Sequence, residues 1–186
     1  KNKNPYLKEV KKVLPRILSL IDNDTTNKTY GLLDRLYWAW KLIDFPNGTP
    51  QGVINGFARL WVSGMWPYKT KKDFFFKRIN SIIYAASKIT SSDGSLEEAF
   101  PNEGSYCVTA LVAYDTLVTI ELLTPELSNV QIDKWLNITE KWISFLIRAD
   151  EEHALISNHL ATAAAALFRW GHIAEGRKSQ KLARQK

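Results

Sequence analysis

The sequence predicts an all-α protein of antiparallel helix pairs, arranged as an incomplete (α/α) toroid or a layered α/α array. Three observations predict it. Apolar residues recur at helical spacing in segment after segment. The breaks between segments carry the Gly, Pro, Asn and Asp residues that turns need. The connectors are mostly short, so that successive helices return beside one another. Seven such segments exceed what one four-helix core can use, and no strict repeat of the tetratricopeptide or ankyrin kind is visible.

The first helix is expected over residues 5–21, where Leu7, Val10, Val13, Leu14, Ile17, Leu18 and Ile21 form one stripe and Pro15 is a candidate kink. A polar stretch, 23–29, separates it from a second helix carrying Leu32, Leu33, Leu36, Trp40 and Ile43, which must end before Pro46. Trp40 shares the apolar face of that helix and is expected in the core. Thr49-Pro50 reads as a cap followed by proline in the first turn, opening a third helix through Phe57 and Trp61 to about Pro67. A fourth helix covers 71–89. The following segment, 91–103, is too polar and too rich in Gly and Pro to continue it and has the makings of a functional loop. The fifth helix spans 105–123, ended by Thr124-Pro125, and the sixth spans 130–147. The seventh begins near Ser157 and passes through Trp170. Residues 1–176 thus read as one helical domain and 177–186 as a basic polar tail.

The net charge of +6 is carried by the ends of the chain. Residues 1–12 hold five lysines against one glutamate, and 177–186 hold five basic residues and no acid; the remainder has 15 basic against 18 acidic side chains. A nucleic-acid ligand is therefore not expected, since it calls for a basic stripe on the folded surface. With 45% hydrophobic residues, 186 residues can bury a core without a staple. The single Cys107, between Tyr106 and Val108, is expected to be a buried thiol. No membrane span is expected. The chain opens without a methionine or a charged-then-apolar leader, consistent with a signal peptide already removed or never present, which leaves the compartment open.

The segment Arg148-Ala-Asp-Glu-Glu-His-Ala-Leu-Ile-Ser-Asn-His-Leu-Ala carries the most chemistry. His153 and His159 are six residues apart, about 240° around a helix, so they do not share a face as a zinc pair would. No metal and no cofactor is expected. Asn158 and His159 open an alanine-rich run, 161–166, where they either cap a helix or face a cleft and bind an anion or a sugar oxygen. Glu97, Glu98 or Glu103 could also meet Asp150, Glu151 or Glu152 as the acid and base of a glycoside hydrolase. Tyr37 and Trp38, beside Arg35, have the mixed character that stacks on sugar rings and bonds their hydroxyls. Trp61, Trp135 and Trp142 lie on apolar stripes and belong to packing.

The Asn158-His159 pair ahead of its alanine-rich helix resembles the helical portion of heparinase II/III-type proteins. The segments Leu33-Asp-Arg-Leu-Tyr-Trp-Ala-Trp-Lys and Asp93-Gly-Ser-Leu-Glu-Glu-Ala-Phe-Pro-Asn-Glu are similar to sections of the same domain, so the likeness covers about residues 30–172. It implies an incomplete (α/α) toroid, a polysaccharide or oligosaccharide as partner, β-elimination at a uronic acid, and a periplasmic or secreted location. Asn158 and His159 would then neutralise the sugar carboxylate as charge develops. In that family the tyrosine that serves as base lies after the Asn-His pair, and here no tyrosine follows Tyr114. The resemblance thus implies a catalytic set that is incomplete within this chain, with Tyr106 the available substitute. Arg35, Tyr37, Trp38 and Glu103 are the expected substrate-binding residues. A non-catalytic scaffold for protein or glycan is the other class of reading.

Overall fold

A computed structural model describes residues 5–152 and 157–183, with side chains described as far as Arg177. Among these residues the chain is all-α: α1 is Pro5–Leu18, α2 Arg35–Trp38, α3 Ile54–Val62, α4 Lys72–Lys88, α5 Tyr106–Leu123, α6 Asn129–Arg148 and α7 Ser157–Ala183. Short 3-10 turns, Thr49–Val53 and Thr124–Glu126, lead into α3 and out of α5.

The packing converges on α5, which α3, α6 and α7 flank, while α4 lies against α6. The reason is composition. Val108, Ala110, Val112, Ala113, Leu117, Val118, Ile120 and Leu123 point all round α5, and a helix apolar on every side is stable only when covered on every side. Residues 106–126 are long and apolar enough to cross a membrane by length and composition, yet most of that stretch is buried inside the fold. Two of its buried threonines are satisfied by the helix itself: the Thr109 and Thr119 hydroxyls donate to the carbonyls of Ser105 and Asp115, each at 2.7 Å, whereas the buried Thr116 hydroxyl makes no hydrogen bond among the described residues. The buried side of α7 carries alanines, Ala163 and Ala166, so it can approach α5 closely. Arg169 of α7 pairs with Glu121 of α5 and lies over the Tyr114 ring.

Between α4 and α6 two tryptophans are completely buried, as their stripe positions predict. Each indole N–H is used: Trp135 donates to the Asn80 side chain and Trp142 to Thr90 Oγ1, both at 2.9 Å. Trp61 stacks on Phe75 with ring centroids 4.2 Å apart.

Four expectations need correction. The second helix is a single turn. Asp34 caps it, accepting from the Leu36 and Tyr37 amides, but the chain reverses at Lys41, whose φ is +52°, and the Asp34 carboxylate also takes the Asn47 amide at 2.9 Å. The excursion 35–47 is thereby folded back on its own cap, and Trp40 is 56% exposed rather than in the core. The third helix is entered through a 3-10 turn capped by Gly48, with Pro50 in its first turn but Thr49 already inside. The expected boundary at 177 falls inside a helix: α7 runs on to Ala183, and Arg177 binds Asp133 of α6 through Nη2 at 2.6 Å. The first helix is shorter than its stripe, ending at Leu18, although Ile21 beyond it is buried.

Gln51 joins three separate segments. Fully buried, it accepts from the Leu33 amide at 2.9 Å and donates to the carbonyls of Ile82, at 2.9 Å, and Gly31, at 3.4 Å. Replacing it with leucine keeps the volume but leaves the Leu33 N–H buried without a partner. Gln51→Leu is expected to lower unfolding free energy by about 1–3 kcal/mol. Urea denaturation measures this, and an unchanged midpoint and slope would show that the amide is not needed.

Candidate functional site

The polar stretch 91–105 is an ordered structure rather than a loose loop. Its ends are joined by one antiparallel bridge, Leu96 to Ser105, and by the Ser91 amide donating to the Ser95 carbonyl at 2.9 Å. Leu96 is buried, and its amide donates to Thr109 Oγ1 on α5 at 2.9 Å. Ser105 caps α5, accepting from the Val108 amide, and its hydroxyl donates to Glu98. Three further carboxylates are used within the stretch: Asp93 accepts from the Ser95 amide and hydroxyl, and Glu97 and Glu103 are engaged as well. Glu97 accepts from the Ser91 hydroxyl and the Glu103 amide; Glu103 accepts through Oε1 from the Glu98 and Ala99 amides at 2.5 and 2.7 Å.

The last turn of α6 holds this stretch in place. Arg148 donates to the Asp93 carbonyl at 3.0 Å. Gly94, with φ +96°, lies so close to α6 that a Cβ there would stand 2.4 Å from the Lys141 carbonyl oxygen. Between the two elements lies a cavity of about 420 Å³. One wall is Asp93, Glu97, Asn102 and Glu103; the other is Asp150 and Glu152, just beyond α6; Tyr106 and Phe145 supply its apolar surface. Among the described residues no basic side chain lines it.

Of the predicted site residues, Tyr106 and Glu103 line this cavity. His159 stands behind its far wall. Its Nδ1 is 2.6 Å from Oε2 of Glu151, a carboxylate only 3% exposed, so the imidazole tethers the 149–152 segment to α7. Asn158 is exposed in the first turn of α7 and is not part of the lining. Ser157 and Asn158 are already helical, so neither is the cap of α7; His153 lies outside the described residues. Arg35 and Trp38 are placed elsewhere and serve as struts: Arg35 donates to the Ser19 carbonyl at 3.2 Å and lies over the Trp38 and Trp40 rings, and the Trp38 indole donates to the Leu20 carbonyl at 3.0 Å. Tyr37 borders a neighbouring groove that shares Ser91, Glu97 and Asn102 with the cavity. Phe145 was not singled out in the sequence, and Glu151 was named there as a candidate acid or base rather than as the partner of His159.

The electrostatics follow from this enclosure. Burial, and then the charges of Asp150 and Glu151, push the Tyr106 phenol above the usual tyrosine range. It is thus a hydrogen-bond donor at neutral pH and poorly suited to be a base. Burial, with Glu98 and Glu151 nearby, likewise pushes the Cys107 thiol up; the residue is half-buried rather than sealed, and unreactive as a nucleophile. Among the described residues no group of three or more His, Cys, Asp and Glu is arranged to hold a metal ion.

Fold and site define an all-α domain with an acidic, tyrosine-floored cavity at the junction of two helix ends. Comparison with family models, with curated proteins and with solved structures finds no significant match to this chain.

The raised phenol is directly measurable. Subtracting the alkaline ultraviolet titration of Tyr106→Phe from that of the wild type isolates Tyr106, which is expected to ionise above an ordinary tyrosine. Asp150→Asn should bring it part of the way down. The unfolded chain releases this proton first, so this contribution to stability is complete below the ordinary tyrosine range and is lost as pH rises through the folded value. A difference curve at or below that of free tyrosine would contradict the assigned environment.

Proposed function

We propose that this chain is a polysaccharide-handling helical domain of the heparinase II/III-like kind, with the cavity beside Tyr106 as the position of one sugar residue. One observation carries the reading. Residues 93–103 and 149–152, from two of the segments that bear the resemblance, are about fifty residues apart in sequence, and they supply the opposite walls of one cavity. Carboxylates and Asn102 are suited to accept hydrogen bonds from sugar hydroxyls, and Tyr106 and Phe145 offer an apolar floor to a pyranose face.

The charge of the lining bears on the reaction. Elimination at a uronic acid needs a group that neutralises the sugar carboxylate. Here the candidate cation His159 is already paired with Glu151, Asn158 lies outside the lining, and the cavity walls are acidic. This favours a neutral or amino sugar over a uronate. It also favours binding, or hydrolysis with Glu103 opposite Asp150 or Glu152 as the carboxylate pair, over elimination by this chain alone. The incomplete (α/α) toroid remains part of the same proposal.

Affinity electrophoresis of the intact chain through gels containing neutral, amino-sugar or uronate polysaccharides tests the reading. Retardation is expected in a neutral or amino-sugar gel, and Asp150→Asn with Glu152→Gln should weaken it severalfold. Incubation with the same polymers should give no absorbance from an unsaturated product. Failure to be retarded by any of them would sink the saccharide reading, whereas an unsaturated product from a uronate polymer would restore elimination.

A further inference from the structure

We propose that the cavity beside Tyr106 is one of at least two linked sugar positions and that Tyr37 forms the platform of the next, so that the ligand is a saccharide chain bound along a trough. This rests on the saccharide reading above and adds to it the ligand's length and direction.

The argument starts from continuity. A groove of about 320 Å³ borders the acidic cavity and shares three of its side chains, Ser91, Glu97 and Asn102. It is lined by Tyr37, Asp44, Phe45 and Pro46 and by Lys88, Ile89, Thr90 and Pro101. Beyond Tyr37 a further hollow of about 570 Å³ is bounded by residues 41–44, and it shares Tyr37 and Asp44 with the groove. The three spaces are joined in series. Each shared side chain is a saddle over which one ligand would pass, and each space is within the roughly 300–1,000 Å³ that bound small molecules occupy.

The chemistry changes along the trough in a way that suits a saccharide. At the Tyr106 end the lining is carboxylate and amide, matching hydroxyl donors. In the middle Tyr37, Phe45, Pro46, Ile89 and Pro101 stand among the polar groups of Asp44, Lys88 and Thr90, a mixture that matches the C–H faces of a sugar ring together with its hydroxyl edge. An apolar peptide would gain from the middle but would have to seat its next residue among Asp93, Glu97, Glu103 and Asp150. The platform has a structural cause. Because α2 is one turn long and the chain reverses at Lys41, Tyr37 is left half-exposed over the groove. Its neighbour Trp38 is committed to the Leu20 carbonyl. The Lys41 ammonium lies 5.6 Å from the Tyr37 ring centroid and helps fix its plane. The saddle residue Asn102 has φ +62°, a turn conformation that asparagine tolerates better than most residues.

The test is chain-length dependence. Titration calorimetry on the intact chain would use fragments of one to four units from α-1,4-glucan, β-1,4-glucan and β-1,4-linked N-acetylglucosamine. In whichever series binds, affinity is expected to rise at least tenfold from the single sugar to the longest fragment. Tyr37→Ala should remove most of that rise while leaving single-sugar affinity within about twofold, and Tyr37→Phe should keep it. Hydrogen exchange on the wild type needs no variant to fold: the longest fragment should protect amides in 42–46 as well as 91–104, and the single sugar only the latter. Affinity independent of length, an equal loss at every length in Tyr37→Ala, or no protection of 42–46 overturns the second position alone. Absence of binding by every fragment overturns it together with the reading on which it rests.

Discussion

The burial of α5 on all sides is the constraint from which the rest follows. A helix with Val108, Leu117, Ile120 and Leu123 distributed around its axis has no face to offer water, so α3, α6 and α7 must enclose it. The cost of that enclosure is reduced because Thr109 and Thr119 return their hydroxyls to the helix's own carbonyls. The same requirement fixes the start of the helix. Its first amides cannot be left to solvent in a crowded interior, and Ser105 supplies the acceptor for Val108. Because Ser105 also bridges to Leu96, the position of the whole 91–105 stretch is inherited from the core.

That inheritance divides the acidic residues of the site into two kinds. Glu97 and Glu103 are engaged by backbone amides of their own stretch and would be needed there whatever the protein bound. Such bonds also make the wall stiff, which is what a binding surface on a connecting segment requires. The loop is thus neither a lid nor a floppy insertion. It is a buttressed wall whose shape is set by hydrogen bonds to Glu97, by the αL glycine at 94 and by Arg148 at the end of α6.

Much of this was legible in the sequence. Helices α4, α5 and α6 were readable because their periodic runs are long, and α5 and α6 also open on the serine caps Ser105 and Ser128, so local and tertiary preferences agree. The segment 32–43 was misread because the spacing of Leu33, Leu36, Trp40 and Ile43 satisfies a helix, while the reversal is imposed by Asp34 reaching Asn47, a contact thirteen residues away that no local pattern reports. Gln51 was invisible for a similar reason: a lone glutamine says nothing of partners at 31, 33 and 82. At the site, Tyr106, Glu103 and both groups of carboxylates were named from residue type and resemblance. The role of His159 was not, since only the fold could bring Glu151 to 2.6 Å from it.

The placement of the remaining carboxylates carries the argument furthest. The cavity lies where the N-terminus of α5 meets the C-terminus of α6. Acidic groups beside the first are favoured by the helix dipole, and Glu97, Glu98 and Glu103 gather there with structural work to do. Acidic groups beside the second are disfavoured, because the final carbonyls of α6 already present partial negative charge. Asp150 and Glu152 occupy that unfavourable end, next to a buried Glu151 whose charge is answered by His159. Among the described residues neither makes a hydrogen bond or an ion pair, and a basic or neutral residue would suit the end of α6 better. Where a folded chain sets charge against its own local preference, ligand chemistry is the physical reason to look for. A ligand that donates hydrogen bonds, or carries positive charge, supplies what this helix end lacks.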